Sequence, residues 1–262
     1  MRNILTIAAN TFKEAIRQKL MLLVAIIAVA LVFSSNYFLR LDLGHEQLRF
    51  VFDFGSGALG FFGSIIAIVA VCQLFHSEIE NKTVITLLSK PVGVSGFVLG
   101  KFFGAVFALA LFTAVICAAT AAVLAFTRES FAARGFAGIP DVNYAGLCVY
   151  AALQWCKLCA IAAVTALVCS VSTSLLFSVV VSFMALSVSI MAEATLGLGG
   201  ELTNFTRTAA AIFPDLGIFN ASEAFAFAPV NIMAALAAAA YAAVYAATSC
   251  ALASWLFSRR EF

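Results

Sequence analysis

The side chains with the most obvious capacity for chemistry are two cysteines one helical turn apart. Cys156 and Cys159 form a C-x-x-C pattern inside a long apolar run, and paired thiolates suit a soft ion such as Cu(I). No His lies near them in sequence, whereas small polarizable side chains commonly fill helix interfaces. We therefore predict a packing role for this pair and no metal site. All seven cysteines lie in or beside apolar runs, so no disulfide framework is expected.

A lysine lies between these cysteines, near the middle of the same apolar run. An unpaired ammonium at such a depth costs at least ~2.5 to 3.5 kcal/mol, so Lys157 is expected to face a bundle interior or a wet cavity. Gln154, one turn earlier, shares this face. Ser178 and Ser182 belong to a stripe of small, partly polar residues in the next apolar run. These four residues are the candidate transport pathway, and a purely structural lysine is the competing interpretation.

Other arrangements of catalytic residues are missing from the sequence. His45 and His76 stand apart, and the chain has no H-E-x-x-H pattern, no Ser, His and Asp set and no paired carboxylates within an apolar run. The stretch before Lys101 is not a phosphate-binding loop, because Ser95 and Phe102 stand where that motif needs Gly and Ser or Thr. We therefore predict that this chain is not an enzyme and binds no nucleotide itself.

A charged segment separates two of the apolar runs. It begins near His76, ends at Lys101 and carries Glu78, Glu80 and three lysines. Such a segment favours a short helix in water between two membrane spans, where a soluble partner can push on the membrane domain. We place the cytosolic part of this charged segment at residues 77–92.

The composition requires a membrane around these residues, since 64% of the 262 residues are hydrophobic and only 11% are charged. A span needs about 20 mostly apolar residues. Six runs qualify, at residues 20–38, 54–75, 97–126, 146–169, 175–191 and 230–257. The fourth and fifth are too long together for one helix, so the chain must turn between Ser170 and Ser174. The predicted fold is an all-α integral membrane protein with a single transmembrane domain.

The distribution of basic residues orients these spans. With the N-terminus in the cytosol, both termini lie there and the cytosolic side carries the excess of Lys and Arg that the positive-inside rule requires. The cytosolic set is Arg2, Lys13, Arg17, Lys19, Lys82, Lys90, Lys101, Arg259 and Arg260, and the external set is Arg40, Arg49, Arg128, Arg134 and Arg207.

Two segments outside the spans have their own signatures. Apolar residues recur every four positions in residues 1–19, from Ile4 to Ile16, while Glu14 and other polar residues lie away from that stripe, which predicts an amphipathic elbow helix on the inner leaflet. Residues 192–229 are rich in Gly and Phe and predict short helices dipping into the outer interface.

Small residues at four-residue intervals predict close helix packing. They form two stripes, one of Ser56, Gly60 and Ser64 in the second span and one of Gly96, Gly100 and Gly104 in the third.

The order of these features resembles the permeases of ABC-2 type transporters. Residues 78–92 run E-I-E-N-K-T-V-I-T-L-L-S-K-P-V and are followed by Gly100-Lys101. This sequence is similar to the family pattern of E-x-E-x-x-T, a Leu pair, Ser or Thr, one residue and Pro, and later G-K. The family also has an elbow helix, six spans and an external helical hairpin before the last span. Phe213-Pro214-Asp215-Leu216 and Phe219-Asn220 resemble the subgroup associated with multicopper-enzyme maturation.

The resemblance implies a membrane subunit that pairs with a second permease copy, two copies of one chain being the commonest assembly. Each copy would dock a coupling helix on one of two separate cytosolic ABC ATPase subunits, which hold the ATP and Mg²⁺. The implied coupling residues are Glu78, Glu80, Thr83, Leu87, Leu88 and Pro91. The implied location is the bacterial inner membrane, among lipid and with room for an accessory protein outside, and no nucleic acid is involved.

Two functions of other classes compete with this interpretation. A stand-alone secondary transporter would use Lys157, but such a protein usually shows inverted repeats and several intramembrane charges. An integral membrane enzyme would need a convergent set of catalytic residues. A neighbouring reading frame that encodes an ATPase favours the permease.

Overall fold

The computed structural model describes residues 2–38, 47–80, 94–133, 141–197 and 213–259, and the regular structure of these residues is helical without strands. In chain order the helices are α1 (Arg2–Arg17), α2 (Lys19–Phe38), α3 (Gln47–Glu80), α4 (Val94–Ala133), α5 (Tyr144–Val171), α6 (Leu175–Gly197), α7 (Gly217–Asn220) and α8 (Ile232–Ser258). A 3-10 helix, Ala221–Ala226, follows α7 directly.

Within the described ranges, five helices are long and apolar enough to cross a membrane, namely α2, α3, α4, α5 and α8. The prediction of a helical, multi-pass membrane protein is therefore confirmed at this level. The remaining predicted span, 175–191, lies within α6. The apolar part of this helix, Leu175–Met191, is shorter than the apolar stretches of the other five helices. Six spans thus stay a prediction.

The ends of the helices follow local sequence signals. Asn143 and Asn231 precede α5 and α8, and each side chain accepts a hydrogen bond from the backbone N–H three residues on. This is the usual N-cap arrangement, which satisfies a donor that the first turn leaves unpaired. Between α5 and α6 the Ser172 hydroxyl donates to the Ser174 carbonyl oxygen, and the chain turns where the run of Ser and Thr predicts.

Three helices form the centre of the bundle. About two thirds of the apolar window of α5 is buried (67%), against 61% in α3 and 50% in α4, whereas the figures for α2 and α8 are 28% and 22%. The helix α8 packs mainly on α5, α2 packs on α3 and α4, and α6 packs on α3 and α5. The candidate functional residues are therefore the polar side chains at the contacts between the outer helices and this centre.

The amphipathic helix α1 packs along the first turns of α4. Its buried face is formed by Ala8, Thr11 and Ala15, and Leu5 is exposed. Ala8 belongs to the predicted stripe, and Thr11 and Ala15 each lie one position before a residue of it, so the buried face overlaps the stripe and is shifted toward the smallest side chains. Close approach is possible because Gly104 lies opposite: a Cβ atom built there would be 2.4 Å from Thr11 Cβ and 2.8 Å from the Ala8 carbonyl oxygen.

The small residues that permit close packing in α3 are not the ones we expected. A Cβ atom at Gly60 would meet nothing within 4 Å, although Gly60 is central to the predicted stripe. A Cβ at Gly63 would lie 2.9 Å from Leu158 Cδ1, and one at Gly55 would lie 2.5 Å from Thr120 Oγ1. Gly55 and Gly63 are therefore the glycines at which α3 packs closely on its neighbours. The sequence does not reveal this face, because the apolar character of α3 is nearly uniform.

We predict that Gly104→Ala destabilises the protein by about 1–3 kcal/mol, because the added methyl group forces α1 away from α4. Gly60→Ala is the matched control, since its methyl group meets no neighbour and replacing a helical Gly by Ala gains up to ~1 kcal/mol. Thermal unfolding in detergent measures both variants. Equal melting temperatures would contradict the close contact of α1 with α4.

Candidate functional site

The predicted coupling residues lie at the junction of α3 and α4. Glu78 and Glu80 lie in the last turn of α3. This helix therefore continues without a break beyond residue 75, the predicted end of the second span. Thr83, Leu87, Leu88 and Pro91 lie outside the described residues. Residues 81–93 connect the C-terminus of α3 to the N-terminus of α4.

An ion pair lies beside this junction. Lys101 Nζ donates to Glu14 Oε2 at 3.2 Å, and Ser77 Oγ donates to Glu14 Oε1 at 3.2 Å. Lys101 is only 1% exposed, whereas the Glu14 side chain is 42% exposed. One carboxylate therefore joins α1, the last turn of α3 and the second turn of α4.

Sequence reasoning missed this ion pair. It placed Lys101 with the cytosolic basic residues and Glu14 on the polar face of α1, but Lys101 lies inside α4 and is buried. A buried ammonium in an apolar helix is the signal that should have prompted a search for a carboxylate on a neighbouring helix.

A second polar group, which we call the thiol cluster, lies one turn deeper between α3, α5 and α6. It comprises Cys72, His76, Cys169, Ser178 and Ser182. The two sulfur atoms are 3.5 Å apart, and His76 Nδ1 lies 3.0 Å from the Cys72 carbonyl oxygen. His76 Nε2 lies 3.5 Å from Ser178 Oγ. His76 is thus a buried member of a cluster and not the isolated side chain that the sequence indicates.

The four candidate pathway residues do not form one path in the described structure. Ser178 and Ser182 belong to the thiol cluster, near Cys169 at the C-terminal end of α5. Lys157 lies twelve residues before Cys169, which is roughly 18 Å along the helix axis. Gln154 is buried on the same part of α5 as Lys157. The structure thus separates the candidates into two places.

Lys157 meets the segment that precedes α8. Its Nζ donates to Asn220 Oδ1 at 2.8 Å, and Asn220 is the last residue of α7. An amide oxygen therefore offers the ammonium a partner inside the bundle. The sequence predicts that Lys157 faces a bundle interior or a wet cavity, and in the structure its ammonium contacts the segment that precedes α8.

Segment 213–231 follows α5 for much of its length. Near one end, Pro214 and Leu216 line a small cavity with Ile161 of α5. Near the other, a Cβ at Gly146 would lie 1.9 Å from the Phe225 carbonyl oxygen. The two contact points on α5 are fifteen residues apart, or about 22 Å. The described part contains two short helices, Gly217–Asn220 and Ala221–Ala226, and packs against α5. Its position at the outer interface stays a prediction. Residues 198–212 lie outside the described residues.

A groove of about 600 Å³ opens between α4, α5 and α8. Its walls are mostly apolar, and the alanines of α8 leave it room. Trp155 lines the groove while its Nε1 donates to the Val106 carbonyl oxygen at 3.0 Å. Cys156 and Cys159 also line it and are half-buried. Across the described residues, no three His, Cys, Asp or Glu side chains are grouped to hold a metal ion.

No protein-family model matches the sequence, and no curated protein is significantly similar to it. Its function must therefore be argued from its own residues and their geometry.

We predict that Glu14→Gln destabilises the protein by about 1–3 kcal/mol, because it leaves the buried Lys101 ammonium without this carboxylate. In the double variant Glu14→Gln with Lys101→Met the charge is gone, so part of the loss should be recovered. A double-mutant cycle on thermal unfolding in detergent measures this coupling.

The matched control for this cycle is the exposed pair of Arg128 and Asp141. Asp141→Asn should cost less than ~1 kcal/mol, because solvent screens the pair. Additive effects of the Glu14 and Lys101 substitutions would show that the two residues do not interact.

Proposed function

We propose that the chain is the membrane subunit of an ATP-driven ABC-2 type transporter. The observation that carries the proposal is the pattern from Glu78 to Lys101, which falls at the junction of the two helices that α1 clamps together. A partner that pushes on residues 81–93 would act directly on the ends of α3 and α4. The five apolar helices of spanning length are compatible with this role.

The proposed mechanism couples a soluble ATPase to these helix ends. ATP binding would close a dimer of ATPase subunits, and each subunit would displace the coupling segment docked in it. The Glu14 carboxylate would pass this displacement to α1, α3 and α4 together, since it holds Ser77 and Lys101 at once. Hydrolysis would reset the arrangement. The chain itself would contribute no catalytic group and would hold neither ATP nor Mg²⁺.

The proposal includes a topology. Six spans, an interfacial elbow formed by α1 and cytosolic termini place the α3–α4 junction on the side of the ATPase. The bacterial inner membrane is the proposed location, and a second copy of the chain is the proposed partner within it.

A secondary transporter that uses Lys157 is the second candidate. The hydrogen bond from Lys157 to Asn220 favours it, because Asn220 ends a one-turn helix inside the bundle. Short, interrupted helices at mid-membrane form the substrate and ion sites of many secondary transporters.

Affinity purification in mild detergent distinguishes the two candidates. The permease proposal expects a tagged chain to bring down an ATPase with a Walker motif at equal stoichiometry, and expects ATP hydrolysis in the purified complex. A chain that purifies alone under conditions known to preserve such complexes would refute the permease. In that case, loss of uptake in Lys157→Met at normal expression would support the secondary transporter.

We predict that Glu80→Lys, or Leu87→Asp, weakens ATPase binding by roughly 10-fold or more. The first change reverses the charge of a proposed interface anchor, and the second replaces an apolar anchor by a carboxylate. Binding is measured by titrating purified ATPase onto the chain in nanodiscs. The matched control is Glu129→Lys, an exposed residue near the opposite end of α4. Equal affinities for Glu80→Lys and Glu129→Lys would count against the proposed coupling site.

A further inference from the structure

The thiol cluster contains a pair of cysteines that the proposed transport mechanism does not use. Cys72 lies on α3 and Cys169 on α5, both fully buried, and their sulfur atoms are 3.5 Å apart. We propose that these cysteines are a peroxide-responsive site, which closes to an intramolecular disulfide when the protein meets hydrogen peroxide. This inference does not depend on whether the chain couples to an ATPase.

The distance between the thiols is short enough for bond formation. A disulfide needs its sulfur atoms at about 2.05 Å, so the two must approach by roughly 1.5 Å. Each thiol belongs to a long helix of the bundle centre, and the helices already pack against each other. Rotation about the Cα–Cβ bonds can supply much of this approach, with the remainder from a small shift of helices in contact.

His76 provides a proton acceptor beside the pair. Its Nδ1 lies 3.0 Å from the Cys72 carbonyl oxygen, and a carbonyl can only accept, so Nδ1 carries the proton. Nε2 of the neutral ring is then left as an acceptor, and Ser178 Oγ lies 3.5 Å from it. The Cys169 thiol also lies close enough to His76 and Ser178 for their electrostatic influence to reach it. The Cys169 proton therefore has a short route to the imidazole.

A second feature of the thiol cluster is the buried hydroxyl group of Ser182. Ser182 Oγ is buried and has no hydrogen-bond partner by geometry among the described residues, although it lies near the Cys72 thiol. It also lines a cavity of about 10 Å³ between α5, α6 and segment 213–231. That volume suits a molecule of about the size of water. The Ser182 hydroxyl can hydrogen-bond to a sulfenic acid formed beside it or to the water released there.

The reaction balances with hydrogen peroxide as the only oxidant. The Cys169 thiolate attacks one peroxide oxygen, the O–O bond breaks, and sulfenic acid forms while the leaving hydroxide takes the thiol proton to become water. The Cys72 sulfur then attacks the Cys169 sulfur, the S–O bond breaks, and a second water leaves with the Cys72 proton. Two thiols are oxidised to one disulfide, and one peroxide is reduced to two waters.

The site also has a position where a covalent bond would matter. Cys72 lies eight residues before the end of α3, and Cys169 lies just before the turn at Ser172. A disulfide would fix α3 to α5 about two helical turns before the junction that leads to residues 81–93. The motion of α3 relative to α5 would then be blocked until the bond is reduced.

The test begins with the wild-type chain in nanodiscs. After treatment with hydrogen peroxide, free thiols are alkylated under denaturing conditions and the peptides are analysed by mass spectrometry. We expect Cys72 and Cys169 to lose their reactivity together, and their peptides to be joined with a loss of two hydrogen atoms. Reductant should restore both thiols. Full alkylation of both cysteines after treatment would overturn the proposal.

A matched set of variants removes competing thiols. Replacing the other five cysteines by Ala leaves only Cys72 and Cys169, and Cys72→Ala or Cys169→Ala in that background provides the controls. The two-thiol chain should form the bond as a monomer on a non-reducing gel, and neither control should. A link between two chains, or sulfinic acid on Cys169 with Cys72 still free, would refute the intramolecular disulfide. The wild-type peptide map decides the outcome even if a variant fails to fold.

Discussion

The burial of the Lys101 ammonium among apolar helices is the constraint on which the junction of α1, α3 and α4 depends. A charge at 1% exposure needs a partner of opposite sign, and Glu14 supplies one from a helix that is otherwise peripheral. The amphipathic helix is therefore held by more than its apolar face. Because the same carboxylate accepts from Ser77, the end of α3 cannot shift relative to α4 without disturbing the pair.

Close backbone approach makes this polar junction possible. Lipid competes with apolar side chains for any exposed helix face, so association in a membrane relies on fine packing and hydrogen bonds. Gly104 brings α1 against α4 three residues after Lys101, and Gly63 and Gly55 bring α3 against α5 and α4. The Glu14 side chain can thus reach Lys101 because the glycine surface sets the separation of the helices. Packing and charge pairing support each other here.

Hydropathy predicted the spanning helices well, because a membrane helix must be apolar over a length that the bilayer fixes. It predicted their packing faces poorly: Gly60 and Gly63 look equivalent in a helix that is apolar on all sides, and only the neighbours of α3 distinguish them. For the candidate site, too, the need of a residue for a partner could be predicted from the sequence, whereas the partner itself could not. The need of Lys157 for a polar partner was predictable from its residue type. Its partner Asn220, 63 residues away, and the pairing of Cys72 with Cys169, 97 residues away, arise from tertiary contacts that leave no local pattern.

The last two turns of α3 connect the polar groups that sequence reasoning treated separately. His76 faces the thiol cluster and the adjacent Ser77 faces Glu14, so consecutive residues of one helix contact α6 on one side and α1 on the other. A helix is stiff over two turns because its backbone hydrogen bonds run along the axis. A displacement applied at Glu80 would therefore reach both groups together. If the coupling proposal is correct, α1 and α6 receive the same movement through α3, and a bond between Cys72 and Cys169 would oppose it at its source.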